Sequence, residues 1–559
     1  MAGLVVFPGT SAFGLTRMKI YPSEDWLGEF HQGDPSPPII KVVVENVWTS
    51  ELVFFGDGVY YFPDINSDLE AVGEFDLSPI PPAATREFEY RFHPTIPGLR
   101  SISIRFRVEA SGSTGQDYDQ EYATLRAFVD SDDIRRLYSP NPANGGNYGL
   151  SIDLLPDVNG DGRDEILIGA PGEYGPGGNT RHAGKVYILD ASSSEVIDIL
   201  ESPEPTRDAK FGVRVRGSKD LNGDGAGDFA VSISNRKVKV FSGKDLELLY
   251  SLPDPTSDEY DLLAPNYLSV PDLDGDGFPE WVVNRGTRDV HLLVYSGKSR
   301  NFLYSLKAEG PSYSHAGSLA LVPDITGDGY PELIAAAERA SSTGEDDDVG
   351  RCYLYDLRTE TCLRTFISPS PTSKEFGRSV LGLPDINGNG YSEIAVVGDF
   401  KQDYWEDDEG LIDYDYRSER IYIFDAGTGE LLNTIASPDE ERSAAFGYSM
   451  VSGESQFPPM KADFLVAGND RDQYLNWIYR FSPDSIFPME SIRPPDGRSA
   501  LFNRILTLPD IDGDGREELI ISSPEDDGFD HEGMIFDSAG TIYILLSSYR
   551  EPPPPPSPK

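Results

Sequence analysis

The chain has 559 residues, and 94 acidic against 47 basic side chains give it a formal net charge of −47. A surplus of this size disfavours nucleic acid and anionic lipid as partners, because both carry negative phosphate groups. Hydrophobic residues make up 38% of the chain and aromatic residues 11%, enough for folded cores, and no apolar run is long enough to cross a membrane.

The two ends of the chain are predicted to lie outside its folded domains. The segment LVVFPGTSA resembles the end of a signal peptide, with Thr10 and Ala12 at the small-residue positions before a cleavage site, although no basic segment precedes it. We therefore expect residues 1–18 to be the remnant of a signal peptide and leader, with an ordinary first strand as the alternative. Residues 550–559 (EPPPPPSPK preceded by Arg550) predict an extended proline-rich tail.

Residues 19–130 predict a small β-sandwich. Five segments have strand character and are separated by turns rich in proline and glycine: IIKVVVENVW, ELVFFG, REFEYRFHP, LRSISIRFRVEA and YATLRAFVD. Their pattern resembles bacterial immunoglobulin-like adhesion modules. A domain of this kind would act as a spacer or docking unit.

The rest of the chain, residues 133–549, is repetitive. A nine-residue acidic loop followed by a short apolar run occurs six times, as DVNGDGRDE (157–165), DLNGDGAGD (220–228), DLDGDGFPE (272–280), DITGDGYPE (324–332), DINGNGYSE (385–393) and DIDGDGREE (510–518). The last spacing is about twice the others, so a further unit should lie within it. There AFGYSM (445–450) and ADFLVAG (462–468) keep the flanking pattern, while SGESQFPPMK replaces the acidic loop.

These seven units predict an all-β, seven-bladed propeller. Each unit combines a strand before the loop, a strand after it and a hairpin such as GKVYILDASSSEVIDIL (184–200), which makes four strands per blade. The segment IRRLYSP (134–140) has the form of an outer strand, whereas GTIYILLSS (540–548) stops after a third strand. Residues 134–140 should therefore supply the fourth strand of the last blade and close the ring, which removes open sheet edges.

The only two cysteines, Cys352 and Cys362, lie on the two arms of one predicted hairpin. A turn centred on Arg358 and Thr359 places Cys362 opposite Tyr355 and directs Cys352 to the other side of the sheet. This register makes a disulfide geometrically doubtful. We expect two small apolar side chains in the core.

The acidic loops have the chemistry of calcium sites. Side-chain oxygens at positions 1, 3 and 5, a backbone carbonyl at position 7 and a carboxylate at position 9 form an oxygen shell, and Gly at position 6 permits the sharp turn. Position 12 lies in a strand and is apolar, which excludes an EF-hand. The candidate ligands of up to six structural Ca²⁺ ions are Asp157, Asn159, Asp161, Arg163, Glu165; Asp220, Asn222, Asp224, Ala226, Asp228; Asp272, Asp274, Asp276, Phe278, Glu280; Asp324, Thr326, Asp328, Tyr330, Glu332; Asp385, Asn387, Asn389, Tyr391, Glu393; and Asp510, Asp512, Asp514, Arg516, Glu518.

The number of carboxylates per loop predicts a ranking of calcium affinity. The third and the last loop each have four, whereas the fifth has only Asp385 and Glu393 and should bind most weakly. One such loop alone could be a metal-free turn rich in Asp and Gly, but six copies in register favour metal. Because clustered carboxylates repel one another without a cation, chelation should destabilise the propeller.

The combination of Tyr-Gly or Phe-Gly, the acidic loop and an apolar run that ends in Gly-Ala-Pro (169–171) resembles the FG-GAP repeat of integrin α-subunit propellers and bacterial secreted proteins. The resemblance extends over about 415 of the 559 residues. It implies a seven-bladed, calcium-binding propeller that binds partners on the upper face, where the connections between second and third strands emerge. The sixth unit departs from the pattern by lacking the loop, and most copies have lost Gly-Ala-Pro.

Long, varied connections on that face supply candidate ligand-binding residues. Aromatic rings among acids suit a sugar ring or a cationic partner, since rings stack and carboxylates accept hydrogen bonds. A solvated acidic loop whose rings pack on a neighbouring blade is the alternative. The candidates are Tyr404, Trp405, Asp407, Asp408, Tyr174 and His182.

The sequence therefore predicts a secreted, periplasmic or cell-surface calcium-binding propeller that acts as an adhesion or ligand-binding module for a protein or carbohydrate. Calcium is abundant outside cells, which favours export. A polysaccharide-active, lyase-like enzyme is the second hypothesis, with His182 and His531 as candidate bases, although no motif of a known catalytic type occurs. A structural surface protein is the third.

Overall fold

In the computed structural model the chain divides into two compact units, residues 1–134 and 135–559. The residues that the structure describes are 18–21, 24–31, 39–47, 52–61, 69–71, 78–92, 98–110, 118–130, 134–233, 237–252, 266–284, 291–307, 317–338, 340, 349–370, 375–398, 402–406, 412–416, 419–437, 446–453, 463–470, 475–482, 488, 490–492, 504–511, 517–525, 528–529, 535–536 and 538–546.

The described part of the first unit consists of strands β1 (Met18–Tyr21), β2 (Glu24–His31), β3 (Ile39–Asn46), β4 (Leu52–Tyr61), β5 (Leu69–Ala71), β6 (Thr85–Phe92), β7 (Gly98–Ala110) and β8 (Tyr118–Asp130). They form two four-stranded sheets, of order β1-β3-β6-β5 and β2-β8-β7-β4. Each of the five predicted segments contains a strand, while β1, β2 and β5 were not predicted. The immunoglobulin-like interpretation stays a prediction.

The second unit is a seven-bladed β-propeller with four strands in every blade. Blades 1 to 4 contain β10 (Ser151–Leu155), β11 (Glu165–Ala170), β12 (Lys185–Leu189), β13 (Val196–Glu201); β14 (Phe211–Ser218), β15 (Asp228–Ile233), β16 (Lys237–Ser242), β17 (Leu248–Ser251); β18 (Tyr267–Val270), β19 (Glu280–Asn284), β20 (His291–Ser296), β21 (Phe302–Lys307); and β22 (Ser318–Val322), β23 (Glu332–Ala337), β24 (Arg351–Asp356), β25 (Thr361–Phe366). A short 3-10 turn, Pro176–Gly178, lies between β11 and β12.

Blades 5 to 7 complete the ring. They contain β26 (Val380–Leu383), β27 (Glu393–Gly398), β30 (Arg420–Asp425), β31 (Leu431–Ala436); β32 (Met450–Gly453), β33 (Asp463–Asp470), β34 (Leu475–Phe481), β35 (Glu490–Ile492); and β36 (Arg504–Leu508), β37 (Glu518–Ser523), β40 (Thr541–Leu545), β9 (Ile134–Tyr138). The first strand of the propeller, β9, thus lies beside the last, β40. This confirms the predicted closure, in which the two ends of the ring share one sheet.

Two small hairpins were not predicted from the sequence. Strands β28 (Gln402–Glu406) and β29 (Ile412–Tyr416) pair between β27 and β30 of blade 5, and β38 (Gly528–Phe529) pairs with β39 (Ile535–Phe536) in blade 7. Both connections were predicted as irregular loops. Alternating acids and aromatics such as QDYWE and IDYDY carry little apolar signal, which explains the miss.

The hydrophobic core lies between neighbouring blades. Six clusters of buried residues in the described part of the chain each join two adjacent blades, for example Leu155, Phe211 and Phe229 between blades 1 and 2. All residues of second strands such as β11, β23 and β27 are buried. Because neighbouring blades cover both faces of these strands, their sequences read as continuous apolar runs.

A Tyr-Gly or Phe-Gly pair lies where adjacent blades meet in four of the seven blades, at 148–149, 211–212, 376–377 and 446–447. Phe211 is fully buried, and Gly212 has a φ of +90° that L side chains rarely adopt. A Cβ at Gly212 would lie 2.7 Å from the carbonyl oxygen of Lys185. Only glycine fits this approach, which accounts for its recurrence in the repeat.

The two cysteines follow the predicted register. Cys362 pairs with Tyr355 and Cys352 with Phe366 across β24 and β25. Both thiols are free; Cys352 is fully buried and Cys362 partly buried. The disulfide is therefore absent, as expected from the hairpin geometry.

Candidate metal centre

The acidic loops connect the first and second strands of their blades. Their last carboxylate, at position 9, is the first residue of the second strand and pairs with the last residue of the first strand, as in Leu155↔Glu165 and Val270↔Glu280. Because blade strands are antiparallel, the turn between the third and fourth strands emerges on the same side. We call this side the lower face, and the opposite side the upper face.

The carboxylate at position 9 closes each loop by accepting the backbone N–H of position 2. The distance is 2.7 Å for Val158 to Glu165 and 2.6 Å for Leu273 to Glu280. The same bond joins Leu221 to Asp228, Ile325 to Glu332, Ile386 to Glu393 and Ile511 to Glu518. One oxygen of each acid thus orders the loop. In two loops the other oxygen accepts a second hydrogen bond, from the N–H of Gly243 to Asp228 and from Nδ2 of Asn387 to Glu393.

The carboxylate at position 1 fixes the turn itself. In the third loop, Asp272 Oδ1 accepts the N–H of Gly275 at 2.7 Å and Oδ2 accepts that of Gly277 at 2.8 Å. Both glycines have positive φ, +83° and +89°. The loop therefore curls around its own carboxylates and turns them towards one point.

The third loop has the geometry of a cation site. Ligand oxygens of Asp272, Asp274, Asp276 and Glu280 all lie within 4.8 Å of one another. Glu280 Oε1 is buried and has no hydrogen-bond partner among the described residues. Burial, together with the three neighbouring aspartates, raises the pKa of Glu280 to about 8. A hard cation would satisfy this oxygen and offset the repulsion, so the residues present fit Ca²⁺.

The first loop gathers three carboxylates in the same way. Oxygens of Asp157, Asp161 and Glu165 lie within 4.8 Å of one another, and burial raises the pKa of Glu165 to about 7. Asn159 turns its amide towards Asp190, with Nδ2 3.0 Å from Oδ2. The first and third loops are thus the two carboxylate clusters of this kind within the described ranges.

The fifth loop is closed by amides instead. Asn387 Nδ2 donates to Glu393 Oε1 at 2.8 Å, and Asn389 Nδ2 donates to Asp425 Oδ2. These bonds occupy the carboxylate oxygens that a cation would take. The two Asn side chains therefore supply partial positive charge where the third loop needs an ion.

Sequence reasoning missed a carboxylate beside three of the loops. The turn between the third and fourth strands places Asp190, Asp356 and Asp425 at one equivalent position, where blades 2 and 3 have Ser242 and Ser296. Asp190 and Asp425 hydrogen-bond to loop side chains, and each adds to the negative field at its position-9 acid. An Asp recurs before a short turn about 30 residues downstream of each of these loops, and this recurrence could have predicted the additional carboxylate from the sequence.

Position 7 of each loop was predicted to contribute its backbone carbonyl to the metal site. In two loops the side chain at this position also packs against the turn between the third and fourth strands. Lys298 Nζ lies 4.4 Å from the ring centre of Phe278, and the guanidinium of Arg358 lies 4.5 Å from that of Tyr330. Lys298 Nζ also donates to the carbonyl of Asp276 at 3.1 Å. The turn thus covers the loop from the side.

The second and fourth loops are described in full, and the last loop is described in part. In the second, Asn222 Nδ2 donates to Asp224 Oδ2 at 2.8 Å, and in the fourth, Gly329 N–H donates to Asp324 Oδ2 at 2.7 Å. In the last loop Asp510 and Glu518 are described, whereas the predicted ligands Asp512, Asp514 and Arg516 lie outside the described residues.

The sixth blade keeps only the last acid of the pattern. Asp463 begins β33, pairs with Gly453 and is 8% exposed, so it occupies the place of the position-9 carboxylate. The spacing between the paired residues equals that of the other blades, while Ser455, Phe457 and Pro459 stand at positions 1, 3 and 5. The buried acid is therefore retained where the other candidate ligands are lost.

The upper-face candidates lie on different blades. Tyr174 is 42% exposed in the connection after β11. In the same connection, His182 Nδ1 lies 2.9 Å from Asp208 Oδ1, which ties it to the segment leading into blade 2. Tyr404 and Trp405 lie on β28, while Asp407, Asp408 and His531 lie outside the described residues.

The part of the chain that the structure describes contains no helix long and apolar enough to cross a membrane.

The chain is similar in sequence to a known repeat family and to several known proteins. A family model described as "FG-GAP repeat" matches residues 148–189, which contain the first acidic loop. Integrin alpha-X of Mus musculus is 36% identical over 99 residues, 16% of this chain and 8% of that protein. Integrin alpha-10 of Homo sapiens is 30% identical over 124 residues, 21% of this chain and 10% of that protein.

A longer match links the chain to another kind of protein. Phosphatidylinositol-glycan-specific phospholipase D of Bos taurus is 23% identical over 427 residues, which is 70% of this chain and 44% of that protein. The chain spans less than half the length of each of these three relatives.

Proposed function

Because the chain is a seven-bladed propeller that carries an FG-GAP repeat and resembles integrin α subunits, we propose that it is a calcium-braced adhesion or ligand-binding module. The proposal places it outside the cytoplasm, as a secreted, periplasmic or cell-surface protein with a protein or carbohydrate ligand on the upper face. Up to six Ca²⁺ ions would be structural and would hold the lower ends of the blades.

The observation that carries the calcium part is Oε1 of Glu280, which is buried among three aspartates and has no hydrogen-bond partner within the described part of the chain. An unpaired buried carboxylate oxygen is costly, and its neighbours here are negative. A divalent ion at this point would convert the repulsion into attraction. Asp272, Asp274, Asp276 and Glu280 would hold the ion, and the ion would supply rigidity to the hairpin of β18 and β19.

The calcium proposal is tested by Glu280→Gln. We expect one fewer bound Ca²⁺ by isothermal titration calorimetry and a lower melting temperature in calcium, but an equal or higher melting temperature in EGTA, since one of four repelling charges is gone. Glu195→Gln, an exposed glutamate in blade 1, is the matched control and should change neither measurement. An equal loss of stability with and without calcium would show that Glu280 only accepts the N–H of Leu273.

The adhesion part rests on the relatives and on the upper-face connections. The test incubates calcium-loaded protein with a panel of acidic and neutral polysaccharides and with surface proteins of cells, and follows retention and product release together. Retention without release supports a binding module, and Tyr174→Ala, Tyr404→Ala and Trp405→Ala then locate its site. Absence of both retention and release across the panel would contradict the proposal.

An enzyme is the second candidate, because the match to phosphatidylinositol-glycan-specific phospholipase D extends over 70% of this chain. Less than half of that relative is covered, so its activity stays a candidate here. The same incubations decide between the two, with a phosphatidylinositol-glycan substrate added to the panel. Released phosphatidic acid, or new unsaturated or reducing sugar ends, would establish catalysis and direct mutagenesis to His182 and His531.

A further inference from the structure

The innermost strand of each blade borders the central channel of the propeller. Around this channel β36 of blade 7, β10 of blade 1 and β14 of blade 2 follow one another, with β10 in contact with both neighbours. The N–H of Val215 on β14 donates to Ser151 Oγ on β10 at 3.0 Å, and the N–H of Gly217 donates to Asp153 Oδ2 at 3.0 Å. These bonds fix the register of blades 1 and 2 at the channel.

Three arginines lie on these neighbouring strands. Arg504 is the first residue of β36 and lies four residues before Leu508. Ser151 likewise lies four residues before Leu155 on β10. Arg504 and Ser151 therefore lie at the same height along the ring. Arg214 and Arg216 flank Val215, whose side chain is buried in the core between blades 1 and 2. Arg216 follows Val215 in the regular part of β14 and therefore lies on the opposite face, whereas Arg214 lies in the irregular stretch between Phe211 and Val215.

The groups around these arginines leave positive charge uncompensated. Among the described residues, Asp153 is the carboxylate that faces them, with Oδ2 3.6 Å from Nη1 of Arg216. Arg214 Nη1 donates to a neutral group, Asn266 Oδ1, at 3.2 Å, and Arg216 Nε is buried without a hydrogen-bond partner among the described residues. Three guanidinium groups and one carboxylate give 3 − 1 = +2 in a chain whose net charge is −47.

Mutual repulsion and burial act on the same groups. Burial, and next the charges of Arg214 and Arg216, lower the pKa of Arg504 to about 9, and burial with the charge of Arg216 lowers the pKa of Arg214 to about 10. Arg504 and Arg214 both remain cationic at neutral pH. Like charges held together in partial burial are costly, and a bound anion would remove that cost.

A cavity adjoins the cluster. Its volume is about 500 Å³, and its lining includes Asp153, Gly217, Ser218 and Ser269 on the inner strands and Asp272 and Phe278 on the lower face. A small molecule that enters this cavity meets Asp153, whose Oδ2 lies 3.6 Å from Nη1 of Arg216.

We propose that Arg214, Arg216 and Arg504 form an oxyanion site in the central channel, which takes a dianion of the phosphate or sulfate type, free or as the end group of a small ester. Guanidinium groups suit this ligand because their planar forks donate paired hydrogen bonds to tetrahedral oxyanions. The charge of +2 matches a dianion. The three arginines belong to none of the calcium loops, although Asp272 and Phe278 of the third loop line the adjoining cavity.

The test uses the full chain with its calcium bound and inorganic sulfate as the probe, by isothermal titration calorimetry at constant ionic strength. We expect one saturable site that sodium chloride does not reproduce. Arg504→Gln should weaken sulfate binding by about tenfold or more, since a charged hydrogen-bond donor is lost. Arg207→Gln, on an exposed arginine, should change it less than about twofold. Glycerol 3-phosphate in a parallel titration distinguishes a phosphate ester from the bare ion by which of them binds more tightly.

A second variant, which should bind sulfate more tightly, tests the site even if the protein does not fold with Arg504→Gln. Asp153→Asn removes the opposing charge and keeps an oxygen for the N–H of Gly217, so it should tighten sulfate binding. Absence of saturable sulfate binding to the wild type overturns the proposal. So does an equal weakening by Arg207→Gln, which would reveal only general attraction of anions.

Discussion

The third and fifth acidic loops have the same length and the same backbone hydrogen bonds, yet they balance charge differently. In both, the acid at position 1 binds the two loop glycines and the acid at position 9 binds the N–H of position 2. In the third loop, Asp274 and Asp276 add negative charge beside Glu280 Oε1, for which no described residue is a hydrogen-bond partner. In the fifth, Asn387 and Asn389 donate hydrogen bonds to the acids instead.

The comparison separates two roles that the motif combines. Positions 1 and 9 set the backbone, which is why the two loops share one shape. Positions 3 and 5 decide whether the finished loop needs a cation. The sixth blade keeps only one of the two backbone-setting acids: Asp463 remains buried at position 9, while the acids at positions 1, 3 and 5 are absent.

Chelation should have the largest effect, and it should differ between blades. A ligand present at 100 times its Kd stabilises a protein by about 2.7 kcal/mol, so loss of several Ca²⁺ ions should cost several times that amount. In EGTA we expect hydrogen exchange of backbone amides to accelerate more in β19 of blade 3 than in β27 of blade 5. Amides of β33, in the blade without an acidic loop, serve as the internal control. Equal acceleration in β19 and β27 would remove the distinction between the two loops.

A buried acid away from the loops shows what burial alone does. Glu173 is fully buried and accepts hydrogen bonds from Ser139 and Tyr187, and burial raises its pKa from 4.5 to about 7. The folded state therefore holds this proton more tightly than the unfolded state. The resulting stabilisation is complete below pH 4.5 and is lost as the pH rises through 7, a change of about 3 kcal/mol at most.

Thermal unfolding of the wild type and Glu173→Gln between pH 5 and 8 measures this effect. The variant mimics the protonated acid, so the stability of the wild type relative to the variant should fall as the pH rises. Calcium should leave that difference unchanged, because no acidic loop contributes to it. Parallel curves across the pH range, or a difference seen only in EGTA, would contradict this account of Glu173.

The propeller could be predicted from sequence because its determinants are local and repeated. The apolar second strands, the Phe-Gly pairs and the loops recur at blade spacing, and even closure by β9 was readable from the form IRRLYSP. The environment of the loops was less accessible. Asp425 reaches the fifth loop from a turn more than 30 residues away, and counting carboxylates within the loop omitted it. The calcium ranking itself stays a prediction.

The cluster of arginines in the central channel was even harder to predict from the sequence than the environment of the loops. Arg214 and Arg216 lie on β14 and Arg504 lies far along the chain on β36, and only ring closure brings blade 7 next to blade 1, whose β10 lies between these two strands. The hairpin that carries Tyr404 and Trp405 was not predicted for another reason. Its sequence alternates acids and aromatics and so shows no apolar face.

Asn389→Asp addresses the comparison most directly, with the smallest expected effect. It replaces an amide that donates to Asp425 by a carboxylate that repels Asp425 and Glu393. Without calcium we expect a loss of about 1 kcal/mol, the scale of a hydrogen bond lost between partly exposed groups. With calcium the fifth loop gains a third acidic ligand position beside Asp385 and Glu393, so its affinity should rise about tenfold by calorimetry.

The control for this substitution is Asn433→Asp, which makes the same charge change on β31, the outer strand of the same blade. It should leave calcium affinity unchanged, so any shift it causes measures the general effect of one more negative charge on the blade. A gain of affinity confined to Asn389→Asp would mean that positions 3 and 5 alone convert an amide-closed loop into a cation-dependent one. Equal affinities for both variants and the wild type would mean that Asp425 already completes a calcium site in the fifth loop, and that the two loops differ less than their sequences indicate.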